Sequence, residues 1–394
     1  MSGWIPLSVD ATHGGADPRL AGGRLTIDLA ALAENYHLLS RMAAPARVAG
    51  VVKADGYGLG VGPVAQTLWR EGCREFFVAL PEEGIALRSV LPDATIYVLN
   101  GLFGAEAVPA YVAHRLTPVL GSSSDIASWE AFGWDGDVPR PCAIHVDTGM
   151  NRLGLTSDEA LRFIQENALT GAVTPLLLMS HLACADTPDH PLNLRQRESF
   201  QAVRAAFASV ESSLANSAGI FLDSAFAFDL VRPGIALYGG SPASAALNPM
   251  QPVVTAEARV VQVRHAKAGE TVSYGAHETL RRDSLLAVTS IGYADGYHRA
   301  GSSAGVPLRD TSAPAAEGFI HGKRVPVTGR ITMDMTIFDV TDLGAGAVAI
   351  GDHIELFGRN VPIDEAAAAT GTIAYELLTS LGRRYHRRYV GFSE

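Results

Sequence analysis

Up to about Gly240 the chain alternates between short runs that are apolar at nearly every position and longer stretches whose apolar residues recur at helical spacing. Such runs mark strands buried on both faces, and such stretches mark amphipathic helices packed over them. Strands are predicted over 48–53, 76–80, 95–99, 117–120, 142–147 and 176–181, around 214–217 and over 231–237. Helices are predicted over 63–71, 82–90 and 157–167, and an earlier one is marked by Leu29, Leu32, Tyr36 and Leu39 with Asp28 as its N-cap. Roughly eight such β-α units in succession predict an α/β fold, a (β/α)8 TIM-like barrel rather than an open sheet.

The pattern changes after Gly240. Ser241-Pro242 and Asn248-Pro249 interrupt it, helical spacing disappears, and runs rich in Val, Ile and Thr follow at 255–263, 285–291, 324–327, 336–340 and 353–357. Only 363–380 reads as helix again. The expected organisation is a Gly-rich leader over 1–23, a barrel over 24–250 and a mostly β C-terminal domain over 251–394.

Composition narrows the classes. A chain of 394 residues with 47% hydrophobic content can bury a core of this size. The net charge of -10 is spread along the chain, and the one dense basic stretch, Arg383 to Arg388, reads as a helix end or a subunit-contact surface, so nucleic acid is not an expected partner. Cys73, Cys142 and Cys184 are far apart and lack CxxC spacing, which predicts no disulfide framework, no metal site and a reducing cytoplasm. No apolar run reaches the ~18 residues of a membrane span, and the N-terminus lacks the apolar core of a signal peptide, so a soluble cytoplasmic protein is expected.

The chemistry is read from one lysine first. The chain has 28 arginines and only three lysines, and Lys53 directly follows the apolar run Val48-Ala49-Gly50-Val51-Val52. An ammonium group there is unfavourable unless it is paired or its pKa falls, and a desolvated amine is what Schiff-base chemistry requires. The glycine-rich turn Ala54-Asp55-Gly56-Tyr57-Gly58-Leu59-Gly60 follows it. Functional groups of such barrels gather at the C-terminal ends of the strands, which here selects Lys53 on the first, Arg152 after the fifth, His181 on the sixth, Ser217 after the seventh and Arg232 opening the eighth. Phosphate groups commonly rest on the last two loops, where Asn216-Ser217 offers a hydroxyl and Gly234-Ile235 offers backbone N–H groups. Lysine, phosphate pocket and arginine together suggest pyridoxal phosphate.

Val-Val-Lys-Ala-Asp-Gly-Tyr-Gly-Leu-Gly around Lys53 resembles the cofactor-lysine motif of alanine racemases. Val-Asp-Thr-Gly-Met-Asn-Arg-Leu-Gly, Ser-His-Leu-Ala, Ala-Asn-Ser-Ala-Gly, Val-Arg-Pro-Gly-Ile-Ala-Leu-Tyr-Gly, Ser-Tyr-Gly, Gly-Tyr-Ala-Asp-Gly and Thr-Met-Asp-Met are similar to that family in the same order, from about Leu25 to Tyr385. The resemblance implies a pyridoxal phosphate-dependent racemase that interconverts L- and D-alanine, as a homodimer with active sites shared between subunits. It implies that Lys53 carries the cofactor and is the base on one face, that Tyr274 is the base on the other, and that His181 lies against the pyridine ring and contacts Arg232. Arg232 would face the pyridine nitrogen, which makes the ring a weaker electron sink and favours racemisation over other outcomes. Arg152 would meet the cofactor's phenolic oxygen and the substrate carboxylate, which the Met333 N–H also reaches. Tyr57, Asn216, Ser217, Gly234, Ile235 and Tyr375 would hold the phosphate, with Tyr293, Asp334 and His145 at the entrance or behind the contacting groups.

Two positions depart from the family pattern. His145 stands where many members carry a lysine, often carbamylated, that supports the active-site arginine, and Thr332 stands where a cysteine is common. Neighbouring readings are a racemase of serine or of broad range, a decarboxylase of the same fold, and a pyridoxal phosphate-binding homeostasis protein that resembles the barrel alone. Arg232 argues against the decarboxylase, and the C-terminal domain with Tyr274 argues against the barrel-only protein.

Overall fold

The computed structural model describes residues 13–132, 140–171, 173–243, 248–305 and 315–391. The chain divides into two compact units. One runs from Leu32 to Leu237 with Ser241–Met250, and the other takes in the chain up to Ala31, Tyr238–Gly240 and everything from Gln251 onward.

The first unit is the barrel. Its strands are Arg47–Val48 resuming at Gly50–Val51, then Glu75–Val78, Thr95–Val98, Thr117–Leu120, Arg140–His145, Val173–Met179, Glu211–Ser213 and Leu230–Val231. Neighbours pair in parallel in chain order, and the eighth returns to the first through Leu230↔Arg47 and Val231↔Val48. A parallel bridge between Asn216 and Arg232 closes the step from seventh to eighth. Phe77, Ile96, Val98, Leu120, Ile144, Leu177 and Leu178 are fully buried, as expected of strands covered on both faces. The helix Leu29–Ala43 begins where Asp28 Oδ1 accepts the N–H groups of Ala30 at 3.0 Å and Ala31 at 3.1 Å. Further helices cover Val61–Arg70, Pro81–Val90, Ser157–Thr170 and Pro191–Arg204.

Two strands end earlier than the apolar pattern suggests. The segment 214–217 is a loop and a helix start, because the Asn216 side chain caps Ser217–Ile220 by accepting the Gly219 N–H at 2.9 Å. The eighth strand stops at Val231, so Arg232 follows that strand instead of opening it. Pro233 has no N–H to continue the ladder, and Ile235–Tyr238 coils into a 3₁₀ turn.

The second unit is mostly β. Val254–Ala266 is its central strand, paired antiparallel with Gly23–Asp28, His353–Phe357 and Ser284–Thr289, with Thr336–Asp339, Glu317–Ile320 and Lys323–Pro326 further out. Residues 24–28 therefore lie in this sheet and not in the barrel: Leu25 and Ile27 point into its core, both fully buried. Most of the basic stretch near the C-terminus is a strand, Tyr385–Val390, parallel to Gly23–Asp28 and antiparallel to His13–Gly15, so it is not a helix end. The helical span 363–380 divides into Ile363–Ala369 and Ala374–Thr379 at Gly371, whose φ is +67°. Among the described residues, no helix is long and apolar enough to cross a membrane.

Candidate active site

Lys53 leaves the first barrel strand into an unusual turn. Ala54, Asp55, Gly56, Tyr57 and Gly58 all have positive φ, from 54° to 79°, which makes one turn of left-handed helix. Each non-glycine residue in that region costs about 1–2 kcal/mol, so the turn exists only because its surroundings impose it. Glu83 Oε1 accepts the Ala54 N–H at 2.6 Å while its Oε2 accepts the N–H groups of Ala79 and Leu80 at 2.7 and 3.0 Å. Asp55 Oδ1 accepts the Val61 N–H at 2.8 Å. Glu83 thus ties the turn after the first strand to the turn after the second. The Lys53 amine is mostly shielded from water, and burial, then the charge of Arg152, lower its pKa against a weaker opposing pull from Glu83.

The same turn swings Tyr57 inward, where its ring is buried and its hydroxyl lies against Gly234. A Cβ on Gly234 would sit 2.1 Å from that hydroxyl oxygen, so only glycine fits there. Ser217 Oγ accepts the N–H groups of Gly234 at 2.9 Å and Ala236 at 3.3 Å, joining the loops after the seventh and eighth strands. Asn216, Ser217, Gly234 and Ile235 therefore converge with Tyr57 at one corner of the barrel mouth.

Arg232 lies beneath that mouth with 4% of its surface exposed. Its guanidinium donates to Ser213 Oγ, to the Ser180 carbonyl at 2.6 Å and to His181 Nδ1 at 3.4 Å. None of these partners is a carboxylate, and burial brings its pKa down to about 9, which leaves it charged at neutral pH. His181 is driven well below its ordinary pKa by burial, then by Arg232 and Arg152. It is therefore neutral, and because Nδ1 accepts, its proton is assigned to Nε2. His145, buried at the end of the fifth strand, is pushed down to about 4 by burial, then by Arg232 and Arg152.

Arg152 is exposed on the loop after the fifth strand. Asp147 shapes that loop: its Oδ1 accepts the N–H groups of Gly149 and Met150 and its Oδ2 that of Asn151, each at 2.8 Å. Gln196, fully buried, donates to Thr148 Oγ1 at 3.2 Å and to the His181 carbonyl at 2.9 Å, which couples the fifth and sixth loops. Glu83, Asp147 and Gln196 were not foreseen. The Asp-Thr-Gly-Met-Asn spacing could have signalled Asp147 as an Asx turn, whereas Glu83 and Gln196 act across the chain and leave no local signal.

The barrel unit thus brings Lys53, Tyr57, His145, Arg152, His181, Asn216, Ser217, Arg232, Gly234 and Ile235 to one end, whereas Tyr274, Tyr293, Met333, Asp334 and Tyr375 belong to the β unit. Tyr274 is 74% exposed on a 3₁₀ turn after Ser273, whose φ of 66° and ψ of -172° fall in a region natural only to glycine. Ser273 Oγ holds that conformation by donating to the Arg330 carbonyl at 2.8 Å. In the turn 332–335, Thr332 Oγ1 accepts the Met335 N–H at 3.1 Å, and the carbonyls of Thr332 and Met333 accept the N–H groups of Tyr293 and Ala294, both at 3.0 Å. Among the described residues the Met333 N–H has no acceptor, on a residue that is 54% exposed.

Parallel barrels of this kind act at the C-terminal ends of their strands, so the fold and the shielded amine define the class as a TIM-like barrel enzyme equipped for amine chemistry. Two family models match the chain: alanine racemase, N-terminal domain, over residues 27–242, and alanine racemase, C-terminal domain, over 253–389. The chain belongs to the alanine racemase family. It is 53% identical to the alanine racemase of Rhizobium meliloti (strain 1021), an alignment covering 94% of this chain and 97% of that one. It is 52% identical to the biosynthetic alanine racemase of Agrobacterium fabrum, covering 93% of each. Among solved structures, it is similar to alanine racemase from Bartonella henselae with covalently bound pyridoxal phosphate, at 40% identity and a TM-score of 0.85, covering 94% of this chain and all of that one.

Proposed function

We propose that the protein is a pyridoxal phosphate-dependent alanine racemase, acting in the cytoplasm as a homodimer whose sites combine one subunit's barrel with the partner's β unit. The observation that carries this reading is the shielded Lys53 amine grouped with Arg152, His181 and a buried Arg232 that has no acidic partner among the described residues. The residues fit the cofactor: the Tyr57 hydroxyl packed against Gly234, with the Ser217 hydroxyl and the Ile235 amide, suits a phosphate, and Lys53 Nζ suits its aldehyde carbon. Tyr375 joins the phosphate contacts. When bound, pyridoxal phosphate withdraws electrons from an attached amino acid and makes its Cα–H acidic enough to remove.

The chain's own groups then divide the work. Lys53 removes or returns the proton on one face of Cα, and Tyr274 of the partner subunit does so on the other, which inverts the centre. Arg232, charged and held by Ser213, Ser180 and His181, would face the cofactor's ring nitrogen and disfavour a proton there, which would favour return of the proton to Cα, and neutral His181 would lie against the ring without adding charge. Arg152 and the Met333 N–H of the partner fix the substrate carboxylate, while His145 backs Arg152 as a neutral imidazole, and Tyr293 with Asp334 lies at the entrance.

The test is to incubate cofactor-loaded protein with L-alanine and to quantify D-alanine by chiral chromatography. D-alanine should form with the wild type and not with Lys53→Ala, and Tyr274→Phe should retain cofactor while losing racemisation. Cofactor-loaded wild type that yields no D-alanine would overturn the assignment.

A further inference from the structure

In the β unit one guanidinium joins two carboxylates. Arg384 donates through Nε and Nη2 to Asp295 at 2.6 and 2.7 Å, and through Nη1 to Asp334 at 2.7 Å. The two acids differ in what they need. Asp295 is 1% exposed, also accepts the Gly292 N–H at 3.1 Å, and requires a buried counter-charge. Asp334 is about half exposed and would be solvated without Arg384, so its pairing adds little to stability. The turn that carries Asp334 is already closed by Thr332 and by two backbone bonds from Tyr293 and Ala294. A mechanical tether is therefore redundant at Asp334, and its pairing needs another reason.

That reason is electrostatic. Asp334 directly follows Met333, an exposed residue whose N–H has no acceptor among the described residues. An uncompensated carboxylate one residue from an N–H that receives an anion repels that anion. We propose that Arg384 is a positioning residue for substrate binding: it offsets part of the charge of Asp334 so that the Met333 N–H can donate to the carboxylate of alanine. The inference rests on the racemase reading, in which Met333 serves the substrate carboxylate. Unit charges on neighbouring residues of a half-exposed turn change affinity by at most roughly tenfold, which bounds the size of the effect.

The experiment compares KM and kcat for L-alanine in the cofactor-loaded wild type, R384K, R384Q and R384Q/D334N, at low and high salt. Inhibition by propanoate, which is alanine without its amine, is measured on the same proteins. R384Q should raise KM and the propanoate inhibition constant about tenfold at low salt with a much smaller change in kcat, and added salt should reverse much of it. R384K, which keeps the charge, should stay within about threefold of wild type, and adding D334N to R384Q should restore KM to a similar range. A double variant as impaired as R384Q, or an R384Q that keeps the wild-type KM, would overturn the proposal. If buried Asp295 prevents R384Q from folding, R384Q/D295N and R384Q/D295N/D334N make the same comparison, differing only at Asp334. A wild type inactive on alanine would fail the racemase reading itself, whereas an active enzyme indifferent to these charges fails only this inference.

Discussion

Single residues in the barrel mouth are tuned by burial and by two arginines. Lys53 is shifted towards a free amine, and both His145 and His181 are kept neutral, by desolvation first and positive charge second. For His145 the consequence for stability has a definite sign. Its folded-state pKa of about 4 lies below the ordinary 6.5, so the unfolded chain binds more protons between those values and stability falls as pH drops through that window. Between pH 7 and pH 5 this one residue should account for about 2 kcal/mol of lost stability. His145→Asn should therefore flatten the acid side of the stability profile by about that amount, read from urea unfolding at the two pH values. An unchanged slope would mean that the imidazole is solvated or already charged.

At the scale of an element, two short turns hold backbone that most residues resist. The left-handed turn from Ala54 to Gly58 aims Lys53 and Tyr57, and the space it leaves at Gly234 admits no side chain. Gly234→Ala should displace the Tyr57 hydroxyl and loosen the phosphate corner, so that the variant loses pyridoxal phosphate on dialysis faster than wild type while its far-ultraviolet dichroism is retained. The turn before Tyr274 yields a comparison free of the lost hydroxyl. Ser273→Gly and Ser273→Ala both remove the bond to Arg330, but only glycine relaxes at a φ of 66° and ψ of -172°. Glycine should thus be the more stable of the two by about 1 kcal/mol in thermal unfolding, the reverse of the usual order.

In the proposed reading the chemistry is divided between a barrel that carries Lys53 and a β unit that carries Tyr274 and Met333. Tyr274, Tyr293, Met333 and Met335 are each between 42% and 74% exposed, an unusual density of large apolar side chains for an outward surface, which favours burial against a second copy. Shared sites make a quantitative prediction. Lys53→Ala and Tyr274→Phe should each be inactive alone. Co-expressed, they should recover about a quarter of wild-type activity, because random pairing makes half the dimers mixed and each mixed dimer has one intact site of two. Sites built within single subunits would recover none.

The sequence by itself determined what is local. Continuous apolar runs mark strands buried on both faces, so the barrel, the change to β structure after Gly240 and the place of Lys53 at a strand end were all legible, as were the motifs that the family models match. Tertiary structure decided the rest, because periodicity reports how buried a segment is and not what it pairs with. The sequence pattern put residues 24–28 in the barrel, and only their pairing with Val254–Ala266 and Tyr385–Val390 assigns them to the β unit. The basic stretch near the C-terminus reads as a helix end or a subunit-contact surface, and only the fold sets Arg384 against Asp295 and Asp334, two acids distant in the chain. The left-handed turn at Lys53 was visible only as a cluster of glycines. Its handedness came from Glu83 and Asp55, whose hydrogen bonds impose a conformation that local preference opposes.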